Sequence, residues 1–233
     1  MSEKYTMEYH METKKPWVEG DKWTPEPLGP VAEYLAATVI FSDYKLTPET
    51  ERLMASAVGK LDDLGFTIRT TGPGASADCA HKNAKNVEIY VPYKKTETAY
   101  FGYSTRQAVK ITERYLPTLD EVRETVRPVP AMYTSAVLGK WLNSRAQVVV
   151  YWSSDSALTL EKSHPKNYAN PIFRICLRYQ IPLFNLNDTE SMFAFKAFLD
   201  AFAKDPADIP PPVITPESRS EPQRDRNNYD NIF

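Results

Sequence analysis

Gly65-Phe66-Thr67-Ile68-Arg69-Thr70-Thr71-Gly72-Pro73-Gly74-Ala75-Ser76-Ala77-Asp78 joins three signals: a helix-stopping glycine, a run of strand formers, and a tight turn opening into small residues. Just upstream, Thr47-Pro48-Glu49 supplies an N-cap with proline at the first helical position. Leu53, Met54, Ala57, Val58, Leu61 and Leu64 then follow at helical spacing. Further back, Ala36-Ala37-Thr38-Val39-Ile40-Phe41 is a continuous apolar run of strand length, the pattern of a strand buried on both faces. Downstream come a short helix from Ala77 to near Ala84 and the strand Val87-Glu88-Ile89-Tyr90-Val91-Pro92. This β-α-β-α-β order demands crossovers and hence parallel pairing. The fold class expected is α/β, a Rossmann-like three-layer sandwich with a mostly parallel sheet.

The remaining elements are read outward from this unit. Residues 93–130 carry weak periodicity, with a helix expected from Leu119 to Val126. Met132 to Leu142 reads as a helix, and Ala146-Gln147-Val148-Val149-Val150-Tyr151-Trp152 as a buried strand. Pro171 to Tyr179 is a short amphipathic helix, followed by the strand Ile181-Pro182-Leu183-Phe184-Asn185-Leu186. Asn187 with Glu190 resembles a capping box for a last helix bearing Met192, Phe193, Phe195, Phe198, Leu199 and Phe202. Three segments follow: an irregular N-terminal arm over 1–30, with Trp17 and Trp23; a Rossmann-like domain over 31–204; and a proline-rich, disordered tail over 205–233. The last residues of that tail, Tyr229 to Phe233, could form a short docking peptide.

Bulk properties narrow the function classes. The 233 residues have a net charge of −2, so the chain as a whole offers no footprint for nucleic acid, although a local basic patch is compatible with it. Cys79 and Cys176 lie in apolar segments without metal-ligand spacing and read as reduced, buried thiols. Such usage fits a reducing cytoplasm, and no apolar run reaches membrane-spanning length. His10, His81 and His164 form neither a catalytic triad nor a metal set with their neighbours. No metal ligand and no catalytic residue is assigned.

In an open parallel sheet, ligands settle beyond the carboxyl ends of the strands, where the topology reverses. The segments expected there are Ser42-Asp43, the turn Thr70-Thr71-Gly72-Pro73-Gly74-Ala75-Ser76-Ala77-Asp78, Ser153-Ser154-Asp155, and the approach to the helix bearing Arg174. Gly72 and Gly74 tighten the turn, and Ser76 opens a helix whose N–H groups favour an anion. It is not a P-loop, because the lysine after the second glycine is absent. Arg69, Arg145 and Arg174 could reach phosphate bidentately, or could make ordinary salt bridges. Ser42 and Asp43 could equally cap the turn that follows them. Tyr90, Tyr93, Tyr100, Phe101 and Tyr103, with Lys94 and Lys95, could stack and hold a single strand, or could pack a loop or a subunit contact.

The turn motif resembles the glycine-rich turn of the superfamily named for DNA-processing protein A and the lonely-guy enzymes (SLOG), in particular its small bacterial and phage-encoded members. The resemblance continues in Val87–Pro92, Ala136-Val137-Leu138-Gly139, Val148–Asp155 and Phe173-Arg174-Ile175 through Leu186, spanning about residues 35–186 in the order that superfamily shows. The chain departs from the pattern where Asn167-Tyr168-Ala169-Asn170-Pro171 stands in place of a phosphate-wrapping Gly-Gly-Thr turn. It also lacks the Pro-Gly-Gly-x-Gly-Thr-x-x-Glu segment of the phosphoribohydrolase branch.

The resemblance implies a protein that binds a nucleotide or nucleotide-derived small molecule as a sensor or sequestering protein, without transforming it. The ligand set would be Ser42, Asp43, Arg69, Thr70, Thr71, Gly72, Gly74, Ser76, Asp78, Ser153, Asp155, Tyr168, Asn170 and Arg174. The alternatives are a nucleoside or nucleotide N-glycosidase, a single-stranded DNA-binding protein, and a structural protein on a degenerate fold. No cofactor is implied beyond that nucleotide-like ligand. The expected partners are this ligand and further copies of the chain; neither membrane nor nucleic acid is expected.

Overall fold

A computed structural model describes residues 36–42, 46–94, 100–116, 119, 122–164 and 167–204. The arm, the tail, Asp43 and Lys95 lie outside the described residues. Six strands form one sheet: β1 (Ala37–Ser42), β2 (Thr67–Thr71), β3 (Val87–Val91), β4 (Gly102–Tyr103), β5 (Val148–Trp152) and β6 (Leu183–Asn185). Their spatial order is β4-β3-β2-β1-β5-β6, and every pair is parallel. The sheet is therefore fully parallel among the described residues, a sharper result than the mostly parallel one expected. Among the described residues six helices accompany it: α1 (Pro48–Asp63), α2 (Ala75–Asn83), α3 (Arg106–Tyr115), α4 (Pro128–Leu138), α5 (Pro171–Tyr179) and α6 (Thr189–Lys204).

Strand alternation sorts the core into two layers. Ile40, Ile68, Val148 and Val150 face Met54, Val58 and Leu61 of α1 and Phe195, Phe198 and Phe202 of α6. Val39, Tyr90, Val149 and Tyr151 face the other way, onto Ala131, Ala136 and Val137 of α4 and Ile172 and Ile175 of α5. The small residues of α4 let it lie close to the sheet. Helix α3 packs over α4 and α5 through Ala108 and Ile111.

Local signals explain most element ends. Thr47 caps α1 by accepting from the Thr50 N–H at 3.2 Å. Helix α4 starts at Pro128 and stops at Gly139, four residues earlier at each end than the sequence suggested. Gly139 has φ +83, and a Cβ there would lie 2.8 Å from the Ser144 carbonyl oxygen, so only glycine fits that turn without strain. Three expectations are corrected. Residues 122–127 form bends and turns and not a helix, and Leu119 has 3₁₀ geometry. Helix α6 is capped by Asp188, which accepts from the Ser191 N–H at 2.7 Å, and not by Asn187. The middle of the chain supplies β4 and α3, which the periodicity reading did not identify.

One buried ion pair joins the sheet to the helical layer. Arg69 Nε donates to Glu88 Oε2 at 2.9 Å, Nη1 to the Ser144 carbonyl at 2.5 Å, and Nη2 to Ser144 Oγ at 3.1 Å. Glu88 Oε2 also accepts from the Tyr90 hydroxyl at 3.0 Å. The clamp thus ties β2, β3 and the 139–147 turn together. The side chains of Arg69 and Glu88 are 7% and 18% exposed, so removing one partner strands the other with little water. We expect Glu88→Ala to lower the unfolding free energy by about 3 kcal/mol in urea titration, and Arg69→Met/Glu88→Leu to recover part of that loss. Unchanged stability in Glu88→Ala would rule out the clamp.

Candidate functional site

The turn after β2 has the shape the sequence suggested. The Gly72–Pro73 peptide is cis, and the Gly72 N–H donates to the Tyr90 carbonyl at 3.0 Å. A Cβ on Gly72 would meet Ile89 Cγ2 at 2.8 Å and Ala77 Cβ at 3.2 Å, so the turn backbone sits directly against β3 and α2. Gly74 begins α2 with no side-chain cap, leaving the first N–H groups of that helix without an intrahelical partner. Asp78 is exposed in the same first turn and puts a negative charge beside them.

Most other residues expected to hold a ligand are engaged inside the protein. Thr70 Oγ1 donates to Ser76 Oγ at 3.2 Å, and both residues are buried, as is Thr71. Arg69 is committed to Glu88 and Ser144 on the α4 side, so it lines no carboxyl-edge site. Ser153 is 2% exposed and donates to Asp155 Oδ1 at 2.6 Å. Asp155 also accepts from the N–H groups of Ala157 at 3.1 Å and His164 at 2.9 Å. Burial raises the Asp155 pKa, but these hydrogen bonds from Ser153, His164 and Ala157 outweigh it and hold the carboxyl below its ordinary value. Asn185 completes the network, donating to Ser153 Oγ at 2.9 Å and to the Ala157 carbonyl at 3.0 Å.

Asn170, 2% exposed, donates to the His164 carbonyl at 3.1 Å, whereas Tyr168 is exposed. Ser42, at the end of β1, is half-buried. Arg174 turns towards α3, where Nη1 donates to the Tyr115 carbonyl at 3.4 Å. Beneath the crevice between β1 and β5, where the topology reverses, the rings are continuous. Phe41 stacks on Tyr151 with centroids 4.9 Å apart, and Tyr133 and Phe173 meet this pair edge-on at 5.6 and 5.8 Å. The structure therefore brings the β2 turn, Ser42 and the β5 loop to one edge but builds that edge mainly from internal bonds. No cluster of three or more His, Cys, Asp or Glu residues that could hold a metal ion occurs among the described residues. Cys79 and Cys176 are buried and unbridged, and burial pushes both thiols up.

A different surface runs from the outer β4 margin of the sheet to the turn at its amino edge. Trp141, in the turn that precedes β5, is 76% exposed, and Phe101, just before β4, is 42% exposed. Lys140 Nζ lies 5.2 Å from the Phe101 ring centroid and 5.6 Å from that of Trp141, between two solvent-facing rings. Of the aromatics singled out in the sequence, Tyr93 and Tyr103 are exposed at the carboxyl end of the β3–β4 edge, and Tyr90 is wholly buried. The Tyr93 hydroxyl donates to the Thr125 carbonyl. Sequence reasoning missed Trp141 and Lys140. The signal available was a tryptophan placed just beyond a helix-stopping glycine.

No family model matches the chain, and no curated protein matches it. Among solved structures it is similar to one that reports the unique single-stranded DNA binding mode of DNA processing protein A from Helicobacter pylori. The TM-score is 0.43 and the identity 13%, over 74% of this chain and 82% of that one. A likeness of this size carries none of that protein's properties across. The expectation that set nucleic acid aside is withdrawn: the similar structure is of a protein reported to bind single-stranded DNA. No described helix is long and apolar enough to cross a membrane.

Two outcomes test the carboxyl edge. Asp155→Ala should cost about 1–2 kcal/mol at neutral pH through three lost hydrogen bonds. The Asp155 carboxyl titrates lower folded than unfolded, so its contribution is present above the ordinary carboxylate range and fades as pH falls through the depressed value. The stability gap between wild type and variant should therefore narrow as pH falls below the ordinary carboxylate range. A gap independent of pH would contradict the role given to the carboxylate. Gly72→Ala should cost about 1–3 kcal/mol by overpacking, read as a shift in the urea midpoint; an unchanged midpoint would show that the turn has room.

Proposed function

We propose that this chain binds single-stranded nucleic acid, stacking bases on Phe101, at the β4 margin of the sheet, and on Trp141, in the turn before β5. The observation that carries the reading is the exposed Phe101–Lys140–Trp141 arrangement. Large aromatic faces held open to water are costly unless they meet a partner, and a base is the flat partner that any aromatic ring accepts. Lys140 adds a cation at stacking height, where a phosphate can reach it. The polar residues of the carboxyl edge support a pocket less well, because their donors and acceptors already meet one another.

A second reading is a nucleotide-derived small molecule at the Gly72–Gly74 turn, as the SLOG resemblance suggests; membership of that superfamily belongs with this proposal. The observation favouring it is the uncapped start of α2 beside two glycines.

The readings separate by experiment. Fluorescence anisotropy with a labelled thymidine oligomer should show binding by the wild type. Each of Phe101→Ala and Trp141→Ala should weaken it about 5- to 150-fold, the range of one lost stacked base. Equal affinity in both variants would sink the stacking reading. A thermal shift with nucleoside monophosphates, abolished by Gly74→Val, would favour the second. A Cβ on Gly74 meets nothing within 4 Å, so a side chain has room to leave the backbone there.

A further inference from the structure

The surface that carries Trp141 continues into a group of arginines. Helix α3 begins at the carboxyl end of β4 and runs back roughly 15 Å to the amino edge, ending at Tyr115. Helix α5 ends at Tyr179, shortly before β6, so both C-termini lie at that same edge. There Arg145 Nη1 donates to the Tyr179 carbonyl at 3.2 Å, and Arg174 Nη1 to the Tyr115 carbonyl at 3.4 Å. Burial pushes both tyrosine hydroxyls up, and the positive fields of Arg114 and Arg178 oppose that shift at each of them. Arg145 is four residues from Trp141, at most about 14 Å along the chain.

Sequence periodicity extends the pattern. Arg106, Lys110 and Arg114 recur every fourth residue on α3 and share one face, rising about 6 Å per step. The one carboxylate among α3, α5 and the 139–147 turn is Glu113, and it is already paired with Arg127 at 3.0 Å. Elsewhere the protein neutralises cations directly: Lys82 meets Glu51 at 3.3 Å and Lys85 meets Asp62 at 3.7 Å. Arg114, Arg145 and Arg174 have no carboxylate within ion-pair distance among the described residues. Burial lowers the Arg174 pKa, with the field of Glu161 opposing it.

Capping of helix carbonyls accounts for one donor on each of Arg145 and Arg174. A guanidinium has five, and capping does not explain why three arginines gather in a chain whose net charge is −2. We propose that Arg114, Arg145 and Arg174 form a phosphodiester-binding site that grips the backbone of a single strand whose bases stack on Phe101 and Trp141. This deepens the nucleic-acid reading above and rests on it. The guanidinium forks suit phosphate oxygens bidentately, and the bonds to the Tyr179 and Tyr115 carbonyls hold two of them at the helix ends.

The test measures oligothymidine affinity against salt for the full chain. Single-stranded binding loses about 0.7 in log–log slope for each phosphate contact removed. Arg114→Gln/Arg145→Gln/Arg174→Gln should therefore flatten the slope by about 2 and weaken binding by ~10-fold or more, with a thermal unfolding midpoint near the wild type. Replacing the same three by lysine should restore most of the slope, since lysine keeps the charge but loses the fork. If the glutamine triple fails to fold, Arg114→Gln/Arg145→Gln, which leaves the half-buried Arg174 in place, should still flatten the slope by about 1.4. An unchanged slope in a folded variant overturns the site. If that happens while Trp141→Ala still weakens binding, the stacking reading stands and only this site falls. A wild type that binds no oligomer overturns both.

Discussion

The Arg69–Glu88 pair is the interaction on which the rest of this structure depends. It joins neighbouring central strands, then extends through two bonds to Ser144 and so anchors the turn between α4 and β5. That turn carries Lys140, Trp141 and Arg145, the residues to which the functional reading is attached. A buried ion pair is weak evidence for net stability, because desolvation offsets much of its attraction. Its value here is positional. With Gly139 at positive φ and Leu142 also at φ +59, the turn has a backbone that few sequences adopt, and the clamp holds it in one place.

The two edges of the sheet are built on different chemistry. At the carboxyl edge, Ser153, Asp155, Asn185 and Ala157 satisfy one another, and stacked rings lie beneath the topological switch point. A site of this kind is rigid but has few polar groups left to recognise a ligand; its exception is the uncapped start of α2. On the surface from the β4 margin to the amino edge the position is reversed. Rings face water, and cations outnumber carboxylates on α3, α5 and the turn between them. Ligands in parallel α/β sheets usually lie at the carboxyl edge, so the reading favoured here departs from the general rule and stands on local chemistry alone.

The sequence made the centre of the fold legible and left its margin obscure, for physical reasons. β1 is an apolar run, β2 and β3 are runs of strand formers bounded by Gly65, Gly72 and Asn86, and α1 between β1 and β2 carries a clear cap and helical spacing. β4 has only two residues, too few to show alternation, although Thr105 caps α3 by accepting from the Ala108 N–H at 3.2 Å and was there to be read. The site failed differently. The positions of Ser153, Asp155, Asn170 and Arg69 were inferable from strand order, but not their partners. Asn185 and Ser144 lie 32 and 75 residues away from the groups they bind, beyond any local pattern. Trp141 and Lys140 were passed over because exposure is a property of packing and not of spacing.

The most direct measurement is photo-crosslinking of the full chain to a single-stranded oligomer bearing 4-thiothymidine, with the modified peptides mapped by mass spectrometry. Crosslinks at Phe101 and Trp141, with none on residues 71–77, are the result expected if bases stack on these two rings. Crosslinks confined to the Gly72–Gly74 turn, or an absence of crosslinking, would contradict it.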